Sequence, residues 1–190
     1  MSISPIKLVG NWDEGYALDR HIISSTPIGE DIYGHMQFDT KRSEMGELLY
    51  WFKYKGKYDN LDKILDLAKP FLDEWMVLKN VDIILPVPPS KQRNYQPATE
   101  IAQAIAEYLN IYFTDEVLIK VTNEQSKNMD KSQKDLHGSI ITTKKAQKPF
   151  TILLKDDLYS TGETLNECVK ILKKDKNLNN IYVLTMTKTR

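Results

Sequence analysis

The sequence predicts an α/β fold, a central and mainly parallel sheet flanked by helices, with a smaller N-terminal part. Three observations predict it. Residues 151–165, TILLKDDLYSTGETL, open with an apolar run short enough for a strand buried on both faces, and Leu165, Cys168, Val169 and Leu172 behind it recur at helical spacing. Residues 81–87, VDIILPV, repeat the pattern, with a helix expected over 97–109. Residues 181–187 supply a closing strand. Strands alternating with helices in this way build parallel sheets.

One domain is expected over residues 1–190, with 1–58 as a hood with N-terminal elements and 59–190 as the core. Apolar residues make up 41% and charged residues 27%, a soluble globular composition. The 26 basic and 26 acidic side chains cancel. That argues against a broad electrostatic footprint for nucleic acid or an anionic membrane, and leaves open a local basic patch. Cys168 is the only cysteine, so no internal disulfide or cysteine metal cluster can form, and its place on an apolar stripe makes it a core residue. No signal-peptide stretch or run of about 20 apolar residues occurs, so the cytoplasm is the expected compartment.

Residues 6–9 and 16–23 read as short strands. Tyr16, Asp19, His21, His35 and Asp39 are ligand candidates here that the sequence does not rank, and a structural role for each histidine competes with a functional one. Ser43 is placed to cap a helix over 43–55, with Glu44 and Glu47 in its first turn. Asn60 is placed to cap a longer helix with Leu61, Ile64, Leu65, Ala68, Leu72, Trp75 and Met76 on one stripe, and Pro70 predicts a kink or break in it. In the helix over 97–109, Ile101, Ala104, Ile105 and Tyr108 are expected inward. Further strands are expected over 116–121 and 139–143, so that the core alternates βα, β, β, βα, β.

The chemistry concentrates at three strand ends. After the strand at 152–155 come Asp156 and Asp157, then the hydroxyl-rich turn of Tyr159, Ser160, Thr161, Gly162, Glu163 and Thr164. A helix N-terminus offers unpaired N–H groups and partial positive charge, and a glycine lets backbone approach an anion closely. Carboxylates beside it suit sugar hydroxyls, so a ribose 5-phosphate fits, its phosphate in the turn and its sugar over Asp156 and Asp157. An ordinary acidic βα turn is the competing reading. Pro89, Ser90, Lys91 and Arg93 follow the strand at 81–87 and bring hydroxyl, ammonium and guanidinium donors suited to pyrophosphate. A Pro-rich connection with solvated bases is the alternative there. Lys127 and Lys131 lie in a polar span between the strands at 116–121 and 139–143, which the residues by themselves make a surface loop with solvated lysines.

Residues 152–165 resemble the PRPP-binding motif of the class I phosphoribosyltransferases: four mainly apolar positions, two acidic, two mainly apolar, then hydroxyl-Thr-Gly-x-Thr (PRPP, 5-phosphoribosyl pyrophosphate). Lys155 departs from the pattern, and its stem is expected to pack while its charge reaches solvent. Pro86-Val87-Pro88 with Arg93-Asn94-Tyr95-Gln96, and Phe52-Lys53-Tyr54-Lys55-Gly56, are similar to segments of the ComF family, phosphoribosyltransferase-like proteins linked to DNA uptake. The family's four-cysteine zinc module is not matched, and Gln133 stands where its downstream loop has arginine.

The resemblance implies the class I phosphoribosyltransferase fold with a small N-terminal hood. It implies transfer of a 5-phosphoribosyl group from PRPP to a nitrogen nucleophile, with release of pyrophosphate. It gives residues 159–164 to the 5-phosphate, Pro89, Ser90, Lys91 and Arg93 to pyrophosphate, and a catalytic role to Asp156, Asp157, Lys127 and Lys131, the two lysines on a loop that closes over PRPP as a lid. Mg²⁺ is the implied cofactor, with Asp156 and Asp157 as its direct or water-mediated ligands. The expected partners are PRPP and a small nitrogen nucleophile chosen by residues before about position 60. No membrane is expected, nucleic acid is disfavoured, and a homodimer is left open. The alternative is a non-catalytic PRPP- or nucleotide-binding regulatory protein, or one related to DNA uptake.

Overall fold

A computed structural model describes residues 3–89, 95–121 and 140–189. It shows a mixed α/β fold whose main sheet has six strands in the order β1-β2-β10-β9-β5-β6. These are β1 (Ile6–Lys7), β2 (Glu14–Arg20), β5 (Ile83–Pro86), β6 (Tyr112–Phe113), β9 (Phe150–Tyr159) and β10 (Leu178–Lys188). Within this sheet the β1–β2 pairing is antiparallel and the other pairings among the described residues are parallel. Two separate two-stranded ribbons are formed by β3 (Ile22–Glu30) with β4 (Met36–Arg42), and by β7 (Leu118–Lys120) with β8 (Ile140–Thr142).

The sheet separates two apolar layers. On one face lie α1 (Glu44–Tyr54), α2 (Asn60–Glu74) and α3 (Pro97–Leu109), which bury Leu49, Phe52, Ile64, Leu72, Ile101 and Ile105 against Leu153 and Leu184. On the other lies α4 (Glu163–Leu172), which buries Leu165, Cys168, Val169 and Leu172 against Leu154 and Val183. β9 runs through the middle, and Thr151 to Lys155 are buried in succession, as a strand covered on both faces requires.

Several expectations change here. Within residues 1–58, β2 pairs in parallel with β10 inside the main sheet, while the β3–β4 hairpin forms a separate ribbon and exposes Ile28, Ile32, Tyr33 and Phe38. The strands expected over 116–121 and 139–143 leave the core sheet and pair with each other. Helix α2 runs through Pro70 unbroken, because Ile64, Ala68 and Leu72 are buried on both sides of it and packing outweighs one lost hydrogen bond. Asn60 is the first residue of that helix rather than its cap, and its side-chain amide donates to the Leu48 carbonyl at 3.3 Å. Met76 is exposed, as is Tyr108, whose hydroxyl donates to Asp73 at 2.8 Å. Ala102 and Ala106 take the inward places on α3.

The helix ends follow their sequence signals. Ser43 caps α1 by accepting from the Gly46 N–H at 3.0 Å. α3 begins with Pro97 at its first position and closes on Asn110 in the left-handed region (φ 53°).

Candidate functional site

The carboxyl end of β9 carries the acidic pair, and strand alternation splits it. Leu153 packs on the α1–α3 face and Leu154 on the α4 face. Lys155 and Asp157 therefore follow Leu153, and Asp156 follows Leu154. The register agrees: Lys155 is opposite Leu184, which packs with the α1–α3 layer, and Asp156 is opposite Thr185. The two carboxylates thus stand on opposite sides of one strand.

Asp157 is met from α1. The Lys53 ammonium lies 2.8 Å from Asp157 Oδ2, and both side chains are about 15% exposed (16% and 15%). Lys155 is fully buried, and its Nζ has no hydrogen-bond partner among the described residues. The sequence places that charge in solvent. The structure places it in the core, because the central strand is sealed by helices on one face and by β5 and β10 at its sides. Burial pulls the Lys155 ammonium down to about 8, against the opposing pull of Asp157 and Asp156. Burial, with Asp157 second, pushes Asp156 up to about 7.

The turn after β9 has the form an anion site needs. Gly162 takes the left-handed conformation (φ 79°) at the N-cap of α4, with no side-chain hydrogen bond capping the helix. The Glu163 N–H makes only a long contact, 3.4 Å, to Thr161 Oγ1. Ser160, Thr161, Glu163 and Thr164 are exposed around it. The Tyr159 ring lies across the glycine, so a methyl group at Gly162 would fall 2.6 Å from its hydroxyl. Asn166, which the sequence reading does not single out, fastens the turn: its amide donates to the Gly162 carbonyl at 3.0 Å, and its Oδ1 accepts from the Asn11 N–H at 3.1 Å.

Among the unranked N-terminal candidates, the structure brings His21 to this end of the sheet. Its Nδ1 lies 3.0 Å from Thr187 Oγ1, and its backbone N–H donates to the Lys188 carbonyl. Burial holds the imidazole below its ordinary pKa, and Arg42 and Lys53 push the same way, with Asp157 and Glu47 opposing. His35 and Asp39 belong to the exposed hairpin. Pro89 is exposed just past buried Pro88. Ser90, Lys91, Arg93, Lys127 and Lys131 lie outside the described residues. Cys168 is buried, and burial pushes its thiol up to about 12, so it is a core side chain and not a nucleophile.

The acidic pair does not fit a divalent cation held between its two carboxylates. They face opposite sides of β9, and one is already paired with an ammonium.

No family model matches the chain. It is 29% identical over 144 residues to the competence protein ComFC of Bacillus subtilis (strain 168), a match covering 72% of this chain and 57% of ComFC. Little more than half of that relative is therefore spanned. Among solved structures it is similar to UMP synthase of Leishmania donovani (17% identity, 83% of this chain and 26% of that one, TM-score 0.39). It is also similar to a purine phosphoribosyltransferase of Pyrococcus horikoshii Ot3 (17% identity, 66% and 82% covered, TM-score 0.38). A third likeness is to an adenine phosphoribosyltransferase (13% identity, 86% and 85% covered, TM-score 0.36). No helix among the described residues is long and apolar enough to cross a membrane.

Proposed function

We propose, from the premise that this chain is a ComF-like homologue of ComFC, that it binds PRPP and transfers the 5-phosphoribosyl group to a nitrogen nucleophile. The observation that carries the reading is the turn at 160–164: a left-handed Gly162 opening α4 at the end of the central strand, with exposed hydroxyls around it and aspartates immediately before it. The unpaired N–H groups of the first turn of α4 receive the 5-phosphate, helped by Ser160, Thr161 and Thr164. Asp157 accepts from a ribose hydroxyl on the α1 side of the strand, and Asp156 contributes from the other.

Transfer breaks the bond from the anomeric carbon to pyrophosphate and forms one to nitrogen. The nucleophile delivers its electron pair to a carbon with ribosyl-cation character and then loses a proton. The protein's work is positioning and charge stabilisation. Ser90, Lys91 and Arg93 receive the pyrophosphate, and Lys127 and Lys131 meet its growing charge. His21, on whose imidazole the charges of Lys53 and Asp157 act, belongs to the region before about position 60 to which this reading gives the choice of acceptor.

A second reading has a specific observation behind it: the relative at 29% identity is a competence protein. On that reading the same site binds PRPP or a nucleotide and passes the state of the site to a partner in DNA uptake, without turnover. Pyrophosphate release from PRPP over a panel of nucleobases and amines separates the two. Release with one acceptor establishes transfer. Tight PRPP binding with no release from any acceptor establishes the binding protein.

A further inference from the structure

Lys155 poses a physical problem. A buried ammonium with no hydrogen-bond partner among the described residues is costly, and an apolar side chain would fill the same space without that cost. Its setting supplies a reason for it. Asp157 follows on the same face of β9, and Lys53 contacts its Oδ2 from α1. Two ammonium groups thus stand on the Asp157 side of this strand end before any ligand arrives, with Asp156 on the other side. A divalent cation entering here would meet both ammonium groups at close range.

We propose that Lys53, backed by buried Lys155, is the resident counter-charge of the sugar site, in the place of a divalent cation held by the two aspartates. Lys53 fixes the Asp157 carboxylate through Oδ2, and Oδ1 is left to accept a ribose hydroxyl. Lys53 is thus a positioning residue that acts through Asp157, and Lys155 sustains the charge of the pair from inside the core. The inference rests on the PRPP reading above and deepens it.

The probe is ribose 5-phosphate, which lacks the pyrophosphate that itself binds Mg²⁺. Its affinity is measured by calorimetry in EDTA and in Mg²⁺. Wild type is expected to bind equally well in both. Lys53→Met is expected to bind at least about tenfold more weakly in EDTA, as loss of a charge-assisted contact implies. Mg²⁺ should restore part of that loss, because the bare carboxylate then recruits the metal, and Lys53→Arg should keep most of the wild-type affinity. Lys155→Met should fold, with a melting temperature at or above wild type, and bind more weakly in EDTA. A wild type that needs Mg²⁺ to bind overturns the proposal, as does a Lys53→Met variant that binds like wild type in EDTA. Full affinity in folded Lys155→Met overturns the part given to Lys155. A wild type that binds neither ribose 5-phosphate nor PRPP in either buffer overturns the PRPP reading and this inference together, an outcome distinct from the others because in them wild type binds.

Discussion

Lys53 Nζ and Asp157 Oδ2 are 2.8 Å apart, and this contact ties the last turn of α1 to the carboxyl end of the central strand. It joins the segment at 52–56 to the acidic pair that follows the buried part of β9. Both partners are largely sheltered, so the pair lies between the weak surface limit and the costly buried one. Asp157→Asn removes the counter-ion of Lys53 and one neighbouring charge of Lys155. The expected loss of stability is roughly 1–3 kcal/mol, read from denaturant midpoints. A variant as stable as wild type would mean that the pair contributes nothing.

Gly162 serves the turn twice, through its positive φ and through the space under the Tyr159 ring. Gly162→Ala is expected to cost about 1–2 kcal/mol from the backbone alone and to abolish 5-phosphate binding. The double change Gly162→Ala/Tyr159→Ala should relieve the crowding but not the backbone strain, so it recovers only part of the stability. Complete recovery would place the whole cost in the ring contact.

Thr161 sits exposed in the same turn. Thr161→Val should weaken ribose 5-phosphate by about 1 kcal/mol through a lost hydroxyl donor, with the melting temperature unchanged. Equal affinity of wild type for ribose and ribose 5-phosphate would remove the basis of that expectation.

His21 gives the fold an acid limit. Its folded pKa lies below the ordinary 6.5, so the unfolded chain takes up the proton first. Its contribution to stability is complete above pH 6.5 and declines as pH falls through the folded value. His21→Gln should therefore lose less melting temperature than wild type between pH 7.5 and pH 5, and parallel losses would contradict the assignment.

Cys168 should resist iodoacetamide in the native protein and react only on unfolding, since the thiol is buried and its pKa is raised to about 12. Native labelling at the rate of a free thiol would mean that α4 opens readily.

The legible parts of this chain are the local ones. The strand-turn-helix from β9 through α4, the span of α3 and the Ser43 cap are set by residues within a few positions of each other, where periodicity and capping chemistry act. Pairings between distant segments were hidden. Nothing near Glu14–Arg20 says that this strand lies beside β10, because a parallel pairing leaves no turn signal between its partners. Lys53 appeared only within a similar segment, with no role, since its partner lies far along the chain. Lys155 reads as a solvated charge because a long lysine stem can pack while its ammonium reaches water, and the run at 152–155, though it suits a strand buried on both faces, does not say how deep the end of that strand lies. The acidic pair at 156 and 157 is legible as residue types, but its split across the two faces of β9 is not, because that depends on which side of the strand each helix covers.

The central claim is that this strand end holds a phosphoribosyl group, and titration calorimetry with PRPP tests it most directly. Wild type should bind, and the Asp156→Asn/Asp157→Asn variant should bind at least about tenfold more weakly while keeping its fold, as loss of charged hydrogen-bond acceptors requires. A wild type that does not bind PRPP, or a variant with unchanged affinity, would contradict it.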